Sequence, residues 1–279
     1  MIENDLTMTG TVLGNNFKVN EYRSFSKEAL EDLSSLYTDS PRCVGVIFRQ
    51  LIAKEKVAEA LAFFRSYIDT HGSYRKGDSY VEVLQCGVTQ FGKSYTEYLQ
   101  QCSVFCEKSL MDTSIDTDSI ACAGILSESL AAPVVPLSDG EHIAVPVVIR
   151  EWKNTGDFSL EPHDDLSQLK LLSDCHLSNV EHVVAYNCCL QQGDGGDLVL
   201  WDMAPDEASK QALKVTDTGY PYPISALQGI EAISISLEDG DCYFIRADFI
   251  HGVRPINNGA RVTAGRFSAN AGGKIVYWT

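Results

Sequence analysis

Residues 181–203 read EHVVAYNCCLQQGDGGDLVLWDM. Two short apolar runs, 181–190 and 197–203, flank a turn built from Gln, Gly and Asp. The glycines supply the positive φ that a tight reversal needs. No helix bearing Lys followed by Ser or Thr comes after them, so the segment reads as a hairpin and not as a phosphate loop. The same grammar extends on both sides. HIAVPVVIREW (142–152) lies upstream, and EAISISL (231–237), DCYFIRA (241–247), ARVTAGRFSA (260–269) and KIVYWT (274–279) lie downstream. Turn residues such as EDGD and INNGA separate them. Many short strands with turn signals predict an all-β sandwich or barrel. Residues 204–228 are a long, partly helical insertion between strands, the kind of segment that often forms a lid over a site.

The first half has a different character. SKEALEDLSSLY (26–37) carries a capping serine and apolar residues at helical spacing. AKEKVAEALAFFRSYI (53–68) is strongly amphipathic, and 94–111 and 118–132 predict two further helices. CVGVIFRQL (43–51) predicts a short strand. The expectation is one domain over 1–279, with 1–135 mainly helical and the β core in 136–279.

Composition excludes several classes of function. The chain has 279 residues, 44% hydrophobic and 22% charged, ordinary values for a soluble globular protein. Its formal net charge of -16 should repel nucleic acid, which needs a basic surface. The nine cysteines are odd in number and contain no CxxC pair, which predicts reduced thiols in a cytoplasmic protein. The N-terminus is acidic and lacks the apolar run of a signal peptide. Nothing reaches the roughly 18 apolar residues of a membrane span.

The chemistry concentrates in Glu161-Pro162-His163-Asp164-Asp165. On an extended chain, residues two apart point to the same side, so His163 and Asp165 converge while Asp164 points away. Two imidazoles and one carboxylate can cap one face of an octahedral iron(II), leaving the other face for a cosubstrate and O2. His251 is the best second imidazole, placed where the strand DCYFIR ends. Arg261 follows ten residues later, and its planar fork suits the far carboxylate of a keto diacid that chelates the metal. Thr263 shares that strand face and can add a hydroxyl. Arg150 and Trp152, alternating with Val148 before His163, are candidates to contact substrate, as is Arg254. Arg246 has a claim of the same kind. His71, His142, His176 and His182 read as surface or satisfied core residues.

The succession PHDD (162–165), GDGGDLVLWD (193–202), GD (240–241) and HGVRPINNGARVT (251–263) resembles the double-stranded β-helix superfamily of iron(II)- and 2-oxoglutarate-dependent oxygenases. Within it, the helical first half, Ile149-Arg150 ahead of His163 and the terminal IVYWT are similar to the carrier-independent halogenases of hapalindole-type alkaloids and to the N-succinyl amino acid hydroxylases. The resemblance implies a jelly roll, cupin-like and mainly β, with an N-terminal helical region packed on it. It implies Fe(II), 2-oxoglutarate and O2 as cofactor and cosubstrates. It also implies hydroxylation of an unactivated C–H in a small molecule, an amino acid derivative or a secondary metabolite, with release of succinate and CO2. The halogenases carry glycine where this chain has Asp165, so a hydroxylase is expected. The alternative is a cupin-like binding module or isomerase, for which a carboxylate clamp at Arg261 and Thr263 would have no use.

Overall fold

The computed structural model describes residues 8–73, 83–109, 126, 130, 132–154, 157–172, 177 and 179–279. Two antiparallel-dominated sheets organise the second half. In the larger sheet the strands run in the order Val19–Tyr22, Gly45–Phe48, Cys242–Arg246, Val184–Gln191, Arg261–Ala271, Lys274–Trp278 and Val134–Pro136. Arg261–Ala271 is long enough to serve two neighbours on one side. Its first half pairs with Val148–Trp152, which in turn pairs with Val83–Cys86, and its second half pairs with Lys274–Trp278. The smaller sheet has the order Ala232–Ile235, Leu198–Trp201, His251–Val253 and Leu160–His163, antiparallel throughout.

Alternation along the small sheet divides the interior in two. Leu198, Leu200 and Ile235 join the main core together with residues of the large sheet. Val199 and Trp201 point the other way, into a second cluster with Met203, Val215, Tyr222, Leu227 and Ile250. A period of two produces this separation, because successive Cβ atoms leave opposite faces. Three members of the second cluster belong to 204–228. That insertion is therefore seated on the back of the small sheet as a packed wall.

Four α-helices lie among the described residues: α1 (Lys27–Ser35), α2 (Lys54–His71), α3 (Tyr95–Ser109) and α4 (Glu207–Leu213). Ser26 caps α1 by accepting from the Ala29 N–H, as its sequence predicts. α1 lies against Gly45–Phe48, and α2 against Val184–Gln191 and Val83–Cys86. Strands Val19–Tyr22, Gly45–Phe48 and Val83–Cys86 also come from the first half, so that half extends the large sheet as well as contributing helices. The helix predicted over 118–132 lies almost wholly outside the described residues, as does His176.

Candidate metal centre

The small sheet brings the two histidines together by register. His251 stands opposite His163 across adjacent antiparallel strands, with ring centroids 4.2 Å apart. Just beyond the strand, the Asp165 N–H donates to the Ala247 carbonyl at 2.8 Å, which turns the carboxylate toward both rings. Asp165 Oδ2 lies 3.2 Å from His251 Nε2, and Oδ1 lies 3.8 Å from His163 Nε2. All three residues are buried, and their ligating atoms fall within 4.8 Å of one another. Metal–ligand bonds of about 2.1 Å place neighbouring ligands about 3 Å apart, so a small closure suffices to bind an ion.

Both imidazoles are held with Nε2 turned toward the cluster. His163 Nδ1 faces the Glu161 carbonyl at 2.8 Å and His251 Nδ1 faces the Phe249 carbonyl at 3.0 Å. A carbonyl only accepts, so each Nδ1 carries a proton and each Nε2 is the ring atom turned toward the cluster. Burial, followed by the neighbouring His251 charge, pushes the His163 pKa down to about 4. Burial opposes ionisation of Asp165 as well. Its hydrogen bond to His251 and the charges of both histidines and Arg150 outweigh that, and its pKa falls below the usual carboxylate range. For His251 burial acts downward, but the Asp165 hydrogen bond and charge win and the pKa rises. The donor set is two imidazoles and a carboxylate without thiolate, which suits iron(II).

Arg261 is 1% exposed on the large sheet. Nη1 donates to Gln192 Oε1 at 2.9 Å and to the Gly196 carbonyl at 2.7 Å, and Nη2 donates to the Tyr243 hydroxyl at 3.3 Å. Nε has no hydrogen-bond partner, and no carboxylate among the described residues pairs with the guanidinium. A buried cation surrounded by neutral acceptors is costly until an anion joins it. The Gly-rich turn now has a purpose. Gly196, at φ +70°, places its carbonyl on Arg261, and a Cβ there would crowd Gln192 Nε2 at 3.0 Å. Gln192 and Tyr243 were not singled out in the sequence, although Tyr243 shares a strand face with Ile245, two residues on.

Thr263 Oγ1 accepts from Trp152 Nε1 at 2.9 Å, which sets both on one face with Arg261. Arg150 lies opposite Thr263 on the adjacent strand. Its Nε donates to Gln85 Oε1 at 3.3 Å, and its guanidinium lies 5.8 Å from the ring centres of Phe91 and of Trp152. Arg254 does not join them. It is exposed and stacks on Phe158, a member of the cluster behind the small sheet. Arg246 is committed elsewhere, to Asp248 and the Thr38 carbonyl. A second group, Asp39, Glu181 and His182, is close enough to bind a cation, but it is largely exposed and Arg246 Nη2 sits 2.5 Å from His182 Nδ1.

A jelly roll holding two imidazoles, a carboxylate and a buried guanidinium is the arrangement of a non-haem iron oxygenase that consumes a keto acid. No protein-family model matches the sequence. An L-isoleucine 3(1)-dioxygenase from Pantoea ananatis (strain AJ13355) is 32% identical over 240 residues, 81% of this chain and 81% of that protein. An N-substituted L-amino acid dioxygenase from Burkholderia ambifaria AMMD superposes with a TM-score of 0.53 at 14% identity, covering 91% of each chain. Its complex with α-ketoglutarate gives 0.50 at 12% identity. The chain belongs to the family of the L-isoleucine 3(1)-dioxygenase, within the iron(II)- and 2-oxoglutarate-dependent oxygenases. It is a dioxygenase, and the binding-module alternative is set aside.

Proposed function

We propose that His163, Asp165 and His251 ligate one iron(II), that Arg261 with Thr263 holds the distal carboxylate of 2-oxoglutarate, and that the enzyme hydroxylates an aliphatic C–H of a free or derivatised amino acid. The convergence of two Nε2 atoms on a buried carboxylate carries the first part, and the buried Arg261 without an anionic partner carries the second. When bound, the iron with 2-oxoglutarate and O2 supplies the oxidising power, and succinate and CO2 leave. The protein fixes the ligands, binds the diacid and excludes water. The Nδ1 protons of His163 and His251 are tied to carbonyls, which leaves Nε2 of each ring as the atom that would face the metal. Thr263 still has its own hydroxyl proton to donate.

Arg150 is the candidate for the carboxylate of the prime substrate. Its charge contributes to lowering the Asp165 pKa, and Trp152 beside it offers an apolar surface. L-isoleucine is the first compound to test, because a relative acts on it by name. The whole chain reads as one domain, a jelly-roll core with the N-terminal helices packed on it. The seven described cysteines are all free thiols, in keeping with a cytoplasmic location.

The test is direct. Anaerobic protein with Fe(II) and 2-oxoglutarate should develop a weak visible charge-transfer band, absent in His163→Ala and His251→Ala. Admission of O2 with a panel of aliphatic amino acids and N-acyl derivatives should yield succinate and a product heavier by one oxygen. A band that persists in both variants would show that the ligands lie elsewhere.

A further inference from the structure

Asp164 lies between His163 and Asp165 in sequence and points the opposite way. It is fully buried. Its Oδ1 accepts from the Ser167 N–H at 3.0 Å and from Lys210 Nζ at 3.1 Å, and its Oδ2 accepts from the Tyr222 hydroxyl at 2.8 Å. The Ser167 hydroxyl also reaches the carboxylate, and Lys210, itself buried, donates to that hydroxyl at 2.8 Å. Two backbone bonds reinforce the seam. The Asp164 N–H donates to the Gly219 carbonyl at 2.9 Å, and the Tyr222 N–H donates to the Pro162 carbonyl at 2.8 Å.

The fit leaves no slack. Gly219 has φ +61°, and a Cβ there would lie 2.4 Å from the Asp164 carbonyl oxygen and 2.5 Å from Oδ2. Between Gly219 and Tyr222, the Tyr220 ring stands edge-on to His163 with centroids 6.0 Å apart. A buried ion pair adds little net stability over apolar packing, so its value here lies in orientation. The carboxylate fixes three partners from two segments at once, and it does so one residue from His163 and one from Asp165.

We propose that Asp164 is a positioning residue: with Lys210, Ser167 and Tyr222 it locks the His163–Asp165 loop to the wall formed by residues 206–222 and so sets Tyr220 at the rim of the metal centre. This rests on the reading of His163 and Asp165 as ligands. Coupling of this kind is reciprocal, so an ion that holds the loop also holds the wall.

Amide hydrogen exchange of the full chain, with and without Mn(II) plus 2-oxoglutarate, tests it. In the native protein, exchange should slow in peptides covering 160–167 and 216–224, on the order of tenfold at the Tyr222 amide. Asp164→Asn and Lys210→Met should keep the slowing over 160–167 and lose it over 216–224. Tyr222→Phe removes a single hydroxyl, keeps the fold within reach, and should lose most of the response in the same segment. Slowing over 160–167 alone in the native protein, or an undiminished response of 216–224 in the variants, overturns the proposal. Absence of slowing over both segments in the native protein removes the metal assignment and the positioning role with it.

Discussion

Arg261→Lys separates recognition of the diacid from binding of the metal. In the native protein Nη1 is occupied by Gln192 and Gly196, while Nε and Nη2 lie on the same edge of the guanidinium. Nε is unpartnered, so this edge can meet a carboxylate with two parallel N–H donors. Lysine keeps the charge but offers a point donor in place of a planar fork. One of two charged hydrogen bonds is then lost. At about 1.5–3 kcal/mol for such a bond, the half-saturating 2-oxoglutarate concentration should rise roughly 10- to 150-fold. Arg261→Met, which also removes the charge, should weaken binding further. Fe(II) affinity should hold, because Arg261 touches none of His163, Asp165 and His251. The assay is anaerobic titration of the Fe(II) protein with 2-oxoglutarate, read by the visible charge-transfer band, with Fe(II) affinity measured separately. An unchanged half-saturation point in Arg261→Lys would refute the assignment. Parallel loss of Fe(II) binding would mean that the substitution disturbs the whole pocket.

On the proposed ligand set Asp165 fills the third protein position at the metal, so turnover in excess chloride should give a product with one added oxygen and no chlorine isotope pattern by mass spectrometry; Asp165→Gly should lower iron binding and total turnover. His182 should make stability depend on pH. Its hydrogen bond to Asp248 raises its folded pKa despite partial burial, so its contribution is complete below the unfolded value of about 6.5 and fades as pH rises through the folded pKa. Denaturant midpoints measured across that window should fall with pH in the native protein and flatten there in His182→Gln; an unaltered slope would mean that Asp248 gains nothing from the imidazolium.

The approach of His163 and Asp165 was legible from the alternation of an extended chain, and the Asp165 N–H bond to the Ala247 carbonyl continues it past the strand end. His163 and Asp165 lie two apart, and that alone predicted convergence and sent Asp164 away from the metal. The same rule applied further would have rejected Arg254. It stands three residues from His251, an odd separation on an extended chain, and the structure places it over Phe158 behind the small sheet. Parity likewise separates Arg261 and Thr263 from Arg266, which stacks between Tyr186 and Tyr277. Strands Val19–Tyr22 and Val83–Cys86 left weaker traces. Each is four residues long, and VNEY mixes exposed and half-buried positions, too short a run for alternation to declare itself.

The insertion 204–228 shows why local pattern fails when burial is supplied from a distance. Its polar start and its GYPYP end suggest a surface segment able to open and close. Its apolar contacts, Val215, Tyr222 and Leu227, are spaced too widely to make a periodic face. They acquire a partner only because Val199 and Trp201 leave the small sheet on its far side. Lys210 is the decisive residue. A lysine in a short helix reads as solvated, yet here it is buried against a carboxylate that sequence parity had already turned away from the metal. Asp164 thus has its direction from the strand and its partner from the fold. A carboxylate turned inward beside a metal loop must find a cation or a set of donors, or carry the cost of an unpaired buried charge. Sequence alone can therefore predict that such a residue needs a partner. Only the pairing of 162–164 with 219–222 shows that the partner is the wall, and that one residue joins the wall to the segment bearing His163 and Asp165.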